Sequence, residues 1–195
     1  DVYKRQKLKG EDDEIVLITP VQFADLMLIS ENGYALRFNL DDVPVLGARA
    51  AGVKAMNLKN GDKIKSAFFV NSNSWYLLTQ RAFIKRVKTD DIPATSRANR
   101  GLQVLRTLKT NNHTVFAAGL INSTADLSAL TEELDLFSQA KAPATKETDE
   151  QVLEVISETG KKYDINLCDL SLSDRTSNGH PIADDLEKIA SVKIK

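Results

Sequence analysis

Ser30-Glu31-Asn32-Gly33, Leu36-Arg37-Phe38, Asp42-Val43-Pro44 and Gly52-Val53 form a phrase that returns twice along the chain. Forty-nine positions on it reads Thr79-Gln80-Arg81-Ala82, Lys85-Arg86-Val87, Asp91-Ile92-Pro93 and Gly101-Leu102. After a further seventy-eight it reads Ser157-Glu158-Thr159-Gly160, Asp164-Ile165, Asp169-Leu170 and Gly179. The loop Ser96-Arg97-Ala98-Asn99-Arg100-Gly101 likewise returns as Asp174-Arg175-Thr176-Ser177-Asn178-Gly179. A period of about 40–50 residues built from short apolar runs predicts propeller blades or a related all-β array.

Within the first unit, Leu26–Ser30 is an apolar run and Glu31-Asn32-Gly33 a turn that tolerates a positive backbone angle, which together predict a hairpin. Tyr34–Phe38 is the returning strand, with Tyr34, Leu36 and Phe38 on one face and Arg37 on the other. Asp41-Asp42-Val43-Pro44 breaks it, since proline offers no ladder donor and restricts the residue before it. Val53–Leu58 and Ile64–Val70 are the unit's remaining expected strands. The second unit follows with Trp75–Thr79, Phe83–Val87, Leu102–Leu108 and Val115–Ile121.

These boundaries predict blades at 20–70, 71–121 and 150–195, with 7–19 as the closing strand of a preceding blade. Residues 1–6 match nothing in the repeat. Between the second and third units, 122–149 is an insertion holding the one helix-compatible stretch, where Leu127, Leu130 and Leu134 share a helical face. Three units are fewer than the 4–8 blades that close a ring, so the expected array is partial.

With 42% hydrophobic and 27% charged residues, the 195-residue chain can bury a core and is neither disordered nor fibrous. No apolar run approaches the roughly 18 residues of a spanning helix, and the opening residues are polar, which argues against membrane and secreted classes. The lone Cys168 excludes an internal disulfide framework and suits a reducing cytoplasm.

A net charge of −1 conceals an asymmetry. From 20 to 110 there are fourteen basic residues against seven acidic ones, and from 111 to 195 eight against fifteen. The basic residues recur in register: Arg37 aligns with Arg86, and Arg49, Arg97 and Arg100 fall in the same loop of successive units. Repeated blades carrying cations along one edge can meet a line of phosphates and release counterions. Arg37, Arg49, Lys54, Arg81, Lys85, Arg86, Arg97 and Arg100 are the candidate DNA-binding residues. Few groups are placed to read base edges, so sequence-tolerant duplex binding is expected.

Asn32-Gly33-Tyr34-Ala35-Leu36-Arg37-Phe38, Val43–Met56, Leu78-Thr79-Gln80-Arg81 through Lys85-Arg86-Val87, and Thr95–Leu105 resemble the C-terminal domain of the A subunit of bacterial type II topoisomerases, gyrase and topoisomerase IV. Arg97–Leu105 and Ser173–Gly179 are most similar to the topoisomerase IV branch, and the resemblance runs from about residue 7 to 185. It implies a β-pinwheel, a propeller-like disc of four-stranded blades that binds and bends double-stranded DNA on its basic rim in the bacterial cytoplasm, at the nucleoid. It implies two partners, the ATPase subunit, and the catalytic domain that shares a polypeptide with this one. ATP and Mg²⁺ belong by the same resemblance to the whole enzyme, with no cofactor in this segment.

Strand breakage needs a nucleophilic tyrosine beside an arginine and Mg²⁺-holding carboxylates. Tyr34, Tyr76 and Tyr163 sit in strand-like runs without such neighbours, so the expectation is no catalytic and no metal residue here. The Asp41-Asp42 and Asp90-Asp91 pairs precede a hydrophobic–proline turn, where aspartate caps backbone. His113 and His180 lack partners at catalytic or metal-ligand spacing, and no phosphate loop, CxxC or HExxH motif occurs. The alternatives are a gyrase C-terminal domain, a propeller-type protein scaffold without a nucleic-acid role, and a free-standing enzyme.

Overall fold

The computed structural model describes residues 13–20, 23–47, 50, 52–121 and 151–195. The insertion at 122–149, residues 1–6 and Arg49 lie outside them. The described residues are strands joined by turns and single 3-10 turns, with no α-helix among them. The strands are β1 (Asp25–Ser30), β2 (Tyr34–Asn39), β3 (Ile64–Phe69), β4 (Ser74–Thr79), β5 (Phe83–Lys88), β6 (Leu102–Gln103), β7 (Val115–Leu120), β8 (Val152–Ser157), β9 (Lys162–Asn166), β10 (His180–Pro181) and β11 (Ile189–Ile194).

Each unit contributes one antiparallel hairpin, β1–β2, β4–β5 and β8–β9, with Leu28 opposite Leu36, Leu77 opposite Lys85 and Val155 opposite Tyr163. Gly33 turns the first hairpin at φ +79. Ala82 occupies the same place in the second at φ 56, a left-handed angle that L residues rarely adopt. The third strand of each unit folds back on the other side of the hairpin, so β3, β7 and β11 lie along β1, β4 and β8.

The fourth strand comes from the next unit. The sheet orders are β3-β1-β2-β6, β7-β4-β5-β10 and β11-β8-β9. After the 3-10 turns Leu40–Asp42, Thr89–Asp91 and Leu167–Asp169 the chain leaves its own hairpin. The second unit then crosses to the first sheet, where Thr95 N donates to Arg37 O at 2.9 Å and Val104 N to Gly33 O at 2.8 Å. The third unit repeats the crossing, Ser173 N donating to Arg86 O at 2.8 Å and Ile182 N to Ala82 O at 2.9 Å. This corrects the expected strands. Leu102–Leu108 shortens to Leu102–Gln103 and pairs outside its own unit. Val53–Leu58 is no strand, because its backbone is spent on the second unit's loop: Asn57 N donates to Asn99 O at 2.8 Å and Ala55 O accepts from Ala98 N at 2.6 Å. Glu14–Ile18 forms no ladder among the described residues, and Ile18 is 82% exposed.

Period-two alternation packs the sheets together. Met27 and Ile29 of the first sheet meet Trp75 and Leu77 of the second in one buried cluster. Tyr76 and Leu78, on the other face of β4, meet Leu153 and Val155 of the third sheet. The second sheet is therefore covered on both sides, and all six residues of β4 are buried.

The crossing needs glycine at its apex. At Gly101, φ +83, an added Cβ would fall under 3.0 Å from the Ala35 carbonyl, and at Gly179, φ +83, equally close to the carbonyl of Ile84. At Gly61, φ +74, nothing lies within 4 Å. Gly101→Ala and Gly179→Ala are each expected to cost about 3 kcal/mol or more, from backbone strain plus a clash. Gly61→Ala should cost about 1 kcal/mol, from strain alone. Urea unfolding of the three variants checks this, and equal losses would show that the close approach is not what selects glycine.

Candidate nucleic-acid interface

The crossing loops bring three of the candidate cations together at the junction of the first two units. Arg97 donates through Nε to Asp42 O at 2.8 Å and through Nη1 to Lys54 O at 3.0 Å. Lys54 Nζ donates to Asn57 Oδ1 at 2.7 Å, on the segment whose backbone pairs with Asn99. Arg100, further along the loop, lies over the Tyr34 ring at 4.1 Å from its centroid. Lys54 and Arg100 are exposed and Arg97 half-buried. No ion pair joins any of the three to a carboxylate among the described residues, so their charge is left for solvent or an anion.

Arg37 and Arg86 hold the same register position on β2 and β5 but differ in their partners. Arg37 forms an ion pair with Asp25 at 2.7 Å, and Asp25 also accepts from Asn39. In the second unit the aspartate is replaced by Ser74, which accepts from Arg86 Nε at 2.9 Å, while Arg86 Nη1 reaches Cys168 O at 3.1 Å. Arg86 thus ties the second unit to the third and has no carboxylate partner among the described residues. Arg81, exposed at the hairpin turn, donates to Asn111 O at 2.9 Å.

Lys85 departs from its assignment as a surface contact. It is 1% exposed, and Nζ donates to Val104 O at 2.5 Å, Arg175 O at 2.6 Å and Ser177 O at 2.8 Å. The three N–H groups are consumed by one carbonyl of its own unit and two of the third, so this lysine pins the second crossing. Burial pushes its pKa down to about 7, with Asp174 pulling it up and Arg175 pushing it down.

The third sheet is electrostatically the reverse. Lys161 pairs with Asp185, Lys162 lies 3.5 Å from Glu154, and Lys195 lies 3.3 Å from Glu154 and 2.7 Å from Asp164. Tyr76 is buried, and burial raises its hydroxyl above the usual tyrosine range, as expected of a packing residue. Asp41-Asp42 and Asp90-Asp91 lie in the 3-10 turns, where Asn39 caps Asp41 N at 2.9 Å. His113 packs edge-on against Phe83, and burial followed by Arg81 lowers its pKa. Sequence reading did not single out Asn57 or Asn178, nor Tyr34 as a platform for Arg100. Asn178 Oδ1 accepts from Arg106 N at 2.9 Å across the second crossing, a contact that no local pattern announces.

Hairpins that borrow their outer strand from the next copy define an array of the β-propeller class, with an uncompensated cationic loop pair at its first junction. The family model for the DNA gyrase C-terminal domain, beta-propeller, matches residues 24–71 and 73–122. The chain belongs to that family. It is 54% identical over 183 residues to the A subunit of DNA topoisomerase 4 from Streptococcus pyogenes serotype M3, covering 94% of this chain and 22% of that protein. To the protein of the same name from Streptococcus pneumoniae serotype 4 it is 49% identical over 183 residues, covering 94% and 21%. The chain thus spans about a fifth of the length of these curated relatives. A crystal structure of the C-terminal domain of DNA topoisomerase IV matches with a TM-score of 0.68 and 31% identity over 88% of this chain and 46% of that one.

Because the folded-state pKa of Lys85 is depressed, the unfolded chain binds a proton that the folded chain has released between about pH 7 and the ordinary lysine value of 10.5. Stability is therefore expected to rise with pH across that window, by at most about 1.4 kcal/mol per unit from this group, and to be insensitive to it below pH 7. Lys85→Met should flatten the slope and speed amide exchange at Ser173 and Ile182. Chemical unfolding from pH 6 to 10 and hydrogen exchange read the two effects. An unchanged slope in the variant would remove Lys85 as its source.

Proposed function

We propose that this chain is a DNA-binding and DNA-bending domain from the A subunit of a bacterial topoisomerase IV, acting in the cytoplasm at the nucleoid. The single observation carrying this reading is the contrast between the junctions: Lys54, Arg97 and Arg100 share loops without carboxylate partners, whereas the third sheet neutralises Lys161, Lys162 and Lys195 internally. Arg86, at the second junction, adds a cation without a carboxylate partner among the described residues. Loop-borne cations without a groove-reading element suit phosphates, so binding is sequence-tolerant. Family membership and the likeness to the topoisomerase 4 relatives support the larger role: strand passage and decatenation, carried out by the catalytic domain of the same polypeptide with an ATPase partner, where ATP and Mg²⁺ act. Arg49, which lies outside the described residues, stays with Lys54, Arg81, Arg86, Arg97 and Arg100 as a proposed contact.

If about four phosphates are neutralised, log affinity for duplex DNA should fall against log salt with a slope near −3.6. Lys54→Gln and Arg100→Gln should each reduce that slope by about 0.9 for any duplex sequence. Their charge reversals should weaken binding about tenfold or more at moderate salt, with reversal at Lys161 and Lys162 changing it little. Arg97 is a poorer probe, since its side chain also braces Asp42 and Lys54. Fluorescence titration with unrelated duplexes checks the set. A slope near zero would exclude the reading and favour a protein scaffold.

A further inference from the structure

We propose that the third sheet has a trailing face and an outer edge that refuse the docking of a second copy of this chain. The first two sheets show what acceptance requires. Toward the next unit they present Met27, Ile29 and Ala35, then Tyr76, Leu78 and Ile84, none more than 4% exposed. At the same register positions the third sheet carries Glu154, Ile156 and Lys162, and Asp164 stands where Arg37 and Arg86 stand.

These charges form a connected ladder. Glu154 Oε2 lies 3.5 Å from Lys162 Nζ and 3.3 Å from Lys195 Nζ, and Lys195 reaches Asp164 at 2.7 Å. In the open the ladder stays hydrated, with Lys162 63% and Asp164 55% exposed. Another blade laid on it would strip water from four charges, a cost that ion pairing in a dry interface does not reliably repay. A polar outer face of this kind is what a stacked array needs at its terminal repeat.

The edge carries the same message. The incoming strand is received at Tyr34-Ala35 on β2 and at Phe83-Ile84 on β5. The corresponding residues beside β9 are Lys161-Lys162, and lysine on an edge strand is a common guard against strand addition.

The leading side is the opposite. Gly52 holds φ +86, the conformation of Gly101 and Gly179 at their crossings, yet nothing lies within 4 Å of its Cβ position. Val45, in the same loop, is 102% exposed. Gly52 therefore holds the crossing conformation, while β9 presents an edge that refuses a crossing loop. Two copies give the test.

Sedimentation of the purified chain at concentrations up to about 100 µM, the weak end of specific association, should show a monomer. The variant Glu154→Tyr, Lys161→Phe, Lys162→Ile, Asp164→Arg, which copies the second sheet, should associate, and adding Gly52→Ala should return it to monomer. Where the fourfold variant does not fold, Lys162→Ile alone should associate at least about tenfold more strongly than the parent. Association of the parent chain that Gly52→Ala abolishes would overturn the proposal, as would a folded variant that stays monomeric. DNA affinity is read separately, since none of these positions is a proposed DNA contact.

Discussion

Two pairs of residues, Leu102-Gln103 and His180-Pro181, hold the array together by pairing with the outer edge of a sheet made by the unit before them. A hairpin with a third strand would leave its β2 or β5 edge open, and an open edge invites pairing with any other chain. Lending a strand backwards closes that edge and joins successive units through main-chain hydrogen bonds. The apolar contact of sheet on sheet then follows, because the crossing fixes which face of β1 meets which face of β4. The glycine apexes are the local condition: a side chain at Gly101 would meet the very carbonyl over which the loop must pass.

The crossing also decides what becomes of each cation. A basic residue on the returning strand lies near the loop arriving from the next unit, and its fate depends on what that loop offers. Arg37 meets an aspartate inside its own sheet. Arg86, one unit later, lacks that aspartate and reaches across to Cys168 O. Lys85, one position earlier on the same strand and so on the opposite face, is swallowed by three carbonyls. Adjacent residues of like charge thus end as an interface tie and a buried pin.

The hairpins were legible because their signals are local: an apolar run, a turn that accepts a left-handed residue, and an alternating return. Ala82 shows how robust the signal is, for it adopts the left-handed angle without being glycine, held by the same ladder that Gly33 serves. The crossing was not legible. A two-residue strand has no periodicity, and Leu102–Leu108 is as apolar as a longer strand would be; only the partner, far upstream on β2, limits it to two residues. For the same reason Lys85 read as a rim contact. Its acceptors Arg175 and Ser177 lie 90 and 92 residues away, and no window of sequence places them on it. Arg97 and Arg100 fall in one loop whose spacing repeats, yet Arg97 reaches Asp42 O and Lys54 O while Arg100 lies over Tyr34.

Because the loops cross, a cationic cluster belongs to a junction and not to a blade, and the two junctions are unequal. At the first, Lys54, Arg97 and Arg100 contribute. At the second the equivalent positions are Gln103, Arg175 and Asn178. Gln103 turns its amide onto Leu105 O and Thr107 Oγ1, each at 2.8 Å, and Asn178 caps Arg106 N. Two of three charges have been exchanged for groups that satisfy the protein's own backbone and hydroxyls. Beyond that junction every ion pair of the third sheet cancels a lysine. At physiological salt, fields fade over about 8 Å, less than the width of a blade, so the carboxylates of the third unit do not quench the first junction. Positive potential is concentrated where the first crossing loop meets the loop beneath it. Under the proposed reading, duplex DNA is gripped at the first junction, away from the sheet whose Lys161, Lys162 and Lys195 are already paired with carboxylates.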